Sequence, residues 1–200
     1  MGRPRTHLER TAAELLEAAE RLIEAEGVGA LSVRRVAEAA GTTTRAVYSL
    51  YGSRDGLVAA LGQRAFELLG AGVADLPDTT DPAADLVEAG VSVFRRFSVE
   101  HPSLFRVAVQ RTLPGPGYAT GFGAEAGRAL AQLEAKVGRL EEAGLLGGRT
   151  VRQATSAFHA LCEGLAALEL RGLLSAGREE AAWRDALGAL VAGFAVGTPE

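Results

Sequence analysis

The run Thr42-Thr43-Thr44-Arg45, with Tyr48 and Ser49 close behind, gathers hydroxyls and one guanidinium into a short stretch of chain. Threonine hydroxyls donate to phosphates or to a base edge, and the threonine methyl can touch the C5-methyl of thymine. An arginine fork reaches guanine O6 and N7, or a phosphate. Tyr48 and Ser49 are polar groups suited to contacts with a nucleic-acid backbone. Arg54 stands where a further helix begins, and a helix N-terminus is itself an anion site. Across residues 32–56, Arg34, Arg35, Arg45 and Arg54 face only Glu38 and Asp55, a local net charge of +2. The N-terminal Arg3-Pro4-Arg5 could add phosphate or minor-groove contacts as a flexible arm. The chemistry that these residues suit is contact with duplex DNA. Enzyme chemistry finds less support. The three histidines, His7, His101 and His159, are scattered, with no His-x-x-x-His or Glu-x-x-His pair for a metal. There is no Gly-x-Ser-x-Gly elbow and no phosphate loop, so no enzyme, metal or cofactor is expected.

The elements that must hold these residues are helices. Strand signals are scarce, and apolar residues recur at helical spacing almost throughout, which predicts an all-α protein of about nine helices. The first covers about residues 8–26, with Thr6/Glu9 or Thr11/Glu14 as a capping box and Leu15, Ala19, Leu22 and Ile23 inward. Gly27 ends it. Ser32 caps the second helix, which turns Val33, Val36 and Ala37 inward and ends at Gly41. One of the three threonines caps a short third helix, about 44–51, and Gly52 breaks it. Ser53 caps a fourth helix that runs to about residue 70. Two short helices around a glycine turn are helix-turn-helix grammar, and the second would be the recognition helix.

The rest of the chain reads as a helical body. Residues 75–82 are a connection, and Asp81-Pro82 is a strong start for a helix to about residue 99. His101-Pro102 opens a short helix that must stop before Pro114, and residues 113–123, rich in proline and glycine, form a loop. A helix over 124–143 carries Leu130, Leu133, Val137 and Leu140 on one face. The last two helices, about 150–171 and 178–196, are apolar nearly all round and must be buried nearly all round. A C2 pairing of two copies would supply that burial, through Ala157, Ala160, Gly164, Ala167, Trp183, Ala186, Leu190, Gly193 and Phe194. The alternative is that both faces pack inside one subunit. Aromatic residues concentrate in the middle helices, as in small-molecule pockets. The expected pocket is Phe94, Phe97, Phe105, Val109, Phe122, Phe158, His159, Cys162 and Glu163. Taken singly, each phenylalanine reads first as core, and Cys162 as a small buried hydrophobe.

Composition is compatible with this division. The chain has 200 residues, 21 basic and 25 acidic, net −4, which excludes a uniformly basic nucleic-acid coat protein but not a local basic patch. Lys136 is the only lysine. A single cysteine cannot form an internal disulfide, and the N-terminus has no apolar signal region. The longest uncharged stretch is shorter than the ~18 residues that a membrane span needs. A soluble cytoplasmic protein is expected.

Residues 10–61 resemble the DNA-binding domain of the tetracycline-repressor (TetR) family of transcriptional regulators. The resemblance is carried by Glu26-Gly27, by Leu31-Ser32-Val33-Arg34-Arg35-Val36-Ala37, and by Ala40-Gly41. It continues through Val47-Tyr48, Tyr51 and Ser53-Arg54-Asp55-Gly56-Leu57. The chain departs from the pattern at 42–44, where an apolar residue followed by Ser is usual, at Tyr51, where Phe is usual, and at Arg54, where Lys is usual. The resemblance implies a homodimer with two recognition helices about one turn of DNA apart, bound to a near-palindromic double-stranded operator. It implies a DNA-binding domain over 1–56, a linking fourth helix over 53–70, and a ligand-binding and dimerisation domain over 75–200. Thr43, Tyr48, Ser49 and Arg54 would touch DNA by position, joined by Arg34, Thr42, Thr44 and Arg45 from the reading above. A small, mainly apolar effector would release a repressor by moving the fourth helix. The segments 101–106 and 159–168 resemble a ligand-domain subtype named for a Trp-His-Gly (WHG) signature, with His159 in place of Trp, Glu163 in place of His, and Gly164 kept. A helical small-molecule-binding protein without a DNA role is the contrasting alternative.

Overall fold

Leu15, Ala18, Ala19 and Ile23 return to one side of a helix every three or four residues, and all four are fully buried. They are the inner face of α1 (Arg3–Glu26), whose end is set by Gly27 at φ 81°. A single 3₁₀ turn, Val28–Ala30, then brings Leu31 into the same core. The structure, a computed structural model, describes residues 3–110 and 123–196. Phe122, with most of the proline- and glycine-rich loop, lies outside the described residues, as do the side chains of Arg3, Arg5 and Thr6. Among the described residues there are nine helices and no strand, the all-α architecture that the periodicity predicts.

The chain divides into two units, Met1–Ala65 with His101–Gly123, and Phe66–Glu100 with Ala124–Glu200. In the first unit, Ser32 caps α2 (Val33–Ala39) by accepting from Arg35 N at 3.3 Å. Val36 and Ala37 turn inward. Gly41, at φ +64°, lets the chain reverse, and Thr42 N then donates to Ala37 O at 2.9 Å. Thr43 is the threonine that caps α3 (Thr44–Tyr51), accepting from Ala46 N at 3.3 Å. Ser53 accepts from Gly56 N at 3.0 Å at the start of α4 (Arg54–Asp75).

Helix α4 is long and apolar enough to cross a membrane by length and composition alone. One side of it, Leu57, Val58, Leu61 and Ala65, is buried in the core of the first unit. The first unit also holds α6, a helical turn Pro102–Leu104 continued as the π-helical turn Phe105–Val109, which packs on α1.

In the second unit, α5 runs from Pro82–Glu88 through a π-helical stretch, Ala89–Arg95, into Arg96–Glu100. Asp81 caps it, accepting from Ala83 N and Ala84 N at 3.1 and 3.0 Å. Then follow α7 (Gly123–Glu142), α8 (Val151–Leu170) and α9 (Glu179–Ala195). Helix α9 packs on α5 and α8. At Gly90 a Cβ would lie 2.4 Å from Leu187 Cδ1 and 3.1 Å from Phe158, so the absent side chain sets how closely α5 approaches its neighbours. Helix α7 buries Lys136, Val137 and Leu140, whereas Leu130, expected on that inner face, is exposed.

Candidate nucleic-acid interface

On α3 only Val47 is fully buried. At about 100° per residue, Thr44, Arg45, Tyr48 and Ser49 share one side of the helix, and all four are exposed. Thr43 is exposed at the cap, and Thr42 is half-buried in the turn. The side chains expected to meet DNA on this helix are therefore brought together on a solvent face. Tyr48, at 55% exposure, is a large aromatic with no burial to justify it inside this subunit.

The other end of α3 is anchored. Tyr51 Oη donates to Ala12 O of α1 at 2.8 Å, and burial pushes its phenol pKa up to about 12. Gly56 packs against the Tyr51 carbonyl so closely that a Cβ there would lie 1.9 Å from the oxygen. Helix α3 is thus held at its C-terminal end by α1 and α4, while its N-terminal turn faces solvent.

The neighbouring cations are largely engaged within the protein. Arg34 Nε donates to Glu38 at 2.9 Å, one turn along α2, in an exposed pair. Arg35 makes a two-pronged pair with Glu26, one prong at 2.8 Å, which ties α2 to the end of α1. Arg54, expected to offer its charge to DNA, donates its Nε–H to Leu31 O at 2.9 Å. That edge of the guanidinium holds backbone, a partner that the sequence did not signal. Arg45 makes no ion pair among the described residues.

A groove of about 440 Å³ runs beside this face, lined by His7, Leu8 and Thr11 of α1 with Thr42, Ala46, Ser49 and Leu50. Neither His7 nor Thr11 was expected at this face, and Thr11, expected as a helix cap, lies inside α1. They sit one helical turn apart, with Thr11 Oγ1 donating to His7 O at 3.0 Å, and only the fold places them next to α3.

No curated protein matches the chain by sequence. Residues 15–61 match the family described as bacterial regulatory proteins, tetR family. Residues 87–192, more than half of the chain, match the tetracyclin repressor-like C-terminal domain. The chain belongs to the TetR family. It is a helix-turn-helix, DNA-binding regulator of transcription.

Solved structures share the fold. A protein of unknown function from a Rhodococcus species superposes with a TM-score of 0.79 at 22% identity, over 92% of this chain and 95% of that one. PfmR of Thermus thermophilus, a TetR family transcriptional regulator, gives 0.69 at 23% identity over 93% and 99% of the two chains. The fatty acid degradation regulator FadR of Bacillus halodurans gives 0.74 at 15% identity over 90% and 93%.

The TetR body places its expected site residues differently. Phe94, Phe97, Phe158 and Cys162 gather in the second unit and are buried. Phe94 meets the half-buried His159 edge-on, with ring centres 5.7 Å apart. Burial holds the His159 pKa below its ordinary value, against the opposing pull of Glu163. Glu163 is half-buried. Burial pushes the Cys162 thiol up, so it is a small core group. Phe105 and Val109 belong to the first unit, where Phe105 is fully buried and Val109 half-buried. A separate open groove of about 380 Å³, between α4 and α7, is lined by Phe66, Glu67, Gly70, Ala71, Ala74, Glu125, Arg128, Ala129 and Gln132, none of which periodicity singled out.

Two expected dimer-face residues need correction. Trp183 and Phe194 are buried inside their own subunit. The Trp183 indole N–H donates to Glu169 at 2.7 Å, and Glu169 in turn receives Arg95. Large side chains of α9 thus satisfy the subunit's own core. The small residues lie elsewhere on the helices: Ala160, Gly164 and Gly193 are exposed, and Ala157, Ala167, Ala186 and Leu190 are half-buried.

Proposed function

We propose that this chain is a ligand-responsive repressor that binds a near-palindromic operator as a homodimer in the cytoplasm and is released by a small, mainly apolar effector. The observation that carries the reading is the solvent face of α3: a capped N-terminal turn with Thr44, Arg45, Tyr48 and Ser49 exposed, on a helix whose far end is anchored. Recognition helices present their N-terminal residues to base edges, and dimers read two half-sites one turn apart. Thr43 and Tyr48 are then backbone and cap contacts, with Arg34 free to exchange its exposed partner Glu38 for a phosphate.

The exposed and half-buried small residues of α8 and α9 are the surface that a second copy would cover, because small residues permit close helix approach around a two-fold axis. The reading divides the protein into a DNA-binding domain over 1–56 and a body over 75–200 of the Trp-His-Gly subtype. Helix α4 supplies residues to both compact units. An effector acts through it only by binding the two states with different affinity.

Gel-shift titration against the protein's own upstream region, at two salt concentrations, tests the regulator. The expected result is sequence-selective binding that weakens steeply with salt. Absence of binding to any duplex by folded protein would overturn it. A thermal-shift screen with lipophilic, aromatic and cationic compounds tests the effector, since a ligand of the native state raises the melting temperature. The expected hits are apolar, and the same compounds should dissociate the protein–DNA complex.

A further inference from the structure

The composition of α3 restricts what its exposed face can read. Strong discrimination between bases in the major groove comes from a few pairings: arginine or lysine with guanine, asparagine or glutamine with adenine, and aspartate or glutamate with cytosine. Helix α3, Thr44-Arg45-Ala46-Val47-Tyr48-Ser49-Leu50-Tyr51, contains no amide and no carboxylate. Its hydroxyl groups pair with more than one base edge and so select weakly. Arg45 is its one ionisable side chain apart from the tyrosines.

The neighbouring cations already have partners within the protein. Arg35 is drawn to Glu26, Arg54 holds the Leu31 carbonyl, and Arg34 lies on α2 beside Glu38. Arg45 is exposed in the first turn of α3, without an ion pair among the described residues. A helical side chain leans towards the N-terminus of its helix, which is the end that enters the groove. The fork is therefore free, correctly sided and without a rival on the same helix.

We infer that Arg45 reads one guanine in each operator half-site, through O6 and N7, and that this guanine is the base pair on which selectivity chiefly depends. The inference rests on the DNA-binding reading given above and adds what the bound sequence must contain. Two-fold symmetry places the guanine once on each strand of the operator.

The test is selection of duplexes from a randomised pool by the full chain, followed by titration of the selected duplex with wild type, Arg45→Ala and Arg45→Lys. The expected result is one invariant guanine per half-site. Arg45→Ala should lose about 5- to 150-fold in affinity per half-site, as for a good bidentate pair, with thermal stability unchanged because the side chain is exposed. Replacing that guanine by 7-deazaguanine removes N7, and should weaken wild type while leaving Arg45→Ala unaffected. Three outcomes overturn the inference. The selected half-sites lack a shared guanine, or 7-deazaguanine weakens both proteins equally. Otherwise Arg45→Ala weakens all duplexes alike with a shallower salt slope, which marks a phosphate clamp. Failure of folded wild type to select any sequence would remove the DNA-binding reading itself, and is distinguishable from all three.

Discussion

Tyr51 shows how much one hydroxyl can decide. At the level of sequence it is an aromatic where phenylalanine is usual, and a ring there fills a core position. In the fold its oxygen reaches the Ala12 carbonyl, thirty-nine residues earlier, at 2.8 Å. Tyr51→Phe should therefore fold, with a loss of about 0.5–1.5 kcal/mol in urea denaturation, the usual net value of one hydrogen bond. A loss near zero would mean that the bond only replaces one to water. Arg54 carries the same lesson in the opposite direction. Its charge at a helix start was legible as an anion site, but a bond to Leu31 O was not, because backbone acceptors leave no trace in side-chain identity. Thr43 was legible in part: capping required one of three threonines, and the backbone chose the one whose hydroxyl faces Ala46 N.

At the scale of elements, the orientation of α3 depends on the tight corner with α4. Gly56 is the residue that allows it, since any Cβ would strike the Tyr51 carbonyl. Gly56→Ala should force the two helices apart, at a cost of about 1–3 kcal/mol by urea denaturation, with weaker operator binding. Full stability and full binding would show that the corner relaxes freely. In the body, the connection before α5 is pinned to α7 by charge. Asp85 accepts from Thr79 N at 2.8 Å, from Thr79 Oγ1 at 2.7 Å and from Arg139. Burial acts to raise its pKa, but these donors outweigh it and bring the carboxyl down to about 2. The unfolded chain binds this proton more readily, near pH 4. The stabilisation is hence complete above about pH 4 and is lost as pH falls towards 2. Thermal melts of Asp85→Asn should show a loss of about 1–3 kcal/mol at pH 6 that narrows below pH 3.5. A gap unchanged down to pH 2.5 would assign the loss to packing. The helix stops at Gly27, Gly41 and Gly52 and the helix start at Asp81-Pro82 were legible because they act locally; the pairing of Arg139 with Asp85 spans fifty-four residues and was not.

At the scale of the molecule, the proposed dimer governs affinity. Ala160 is exposed on α8 and lies on the small-residue stripe that a second copy would cover. Ala160→Glu would bury a carboxylate against its own symmetry mate, which is unfavourable on both counts. Sedimentation should then shift from dimer to monomer, and operator affinity should fall on the order of 10²-fold or more as the two-site advantage disappears. A dimer that persists with the variant would place the interface elsewhere. The charge balance also resolves at this scale. The net −4 belongs to residues beyond 56, since the eight arginines before that point match eight acids, and the stretch over 32–56 is net positive. What the sequence by itself determined is local: helix period, caps, glycine stops and the polar stripe of α3, because each depends on residues within a turn or two of one another. What only the tertiary structure decided is which groups remain available. Trp183 and Phe194 went to the subunit's own core, Arg35 and Arg54 to partners across the chain, and Arg45 was left without an ion pair among the described residues. The physical reason is that burial and pairing are competitions among distant groups for the same space and the same donors, and a linear pattern does not contain the distances on which those competitions turn.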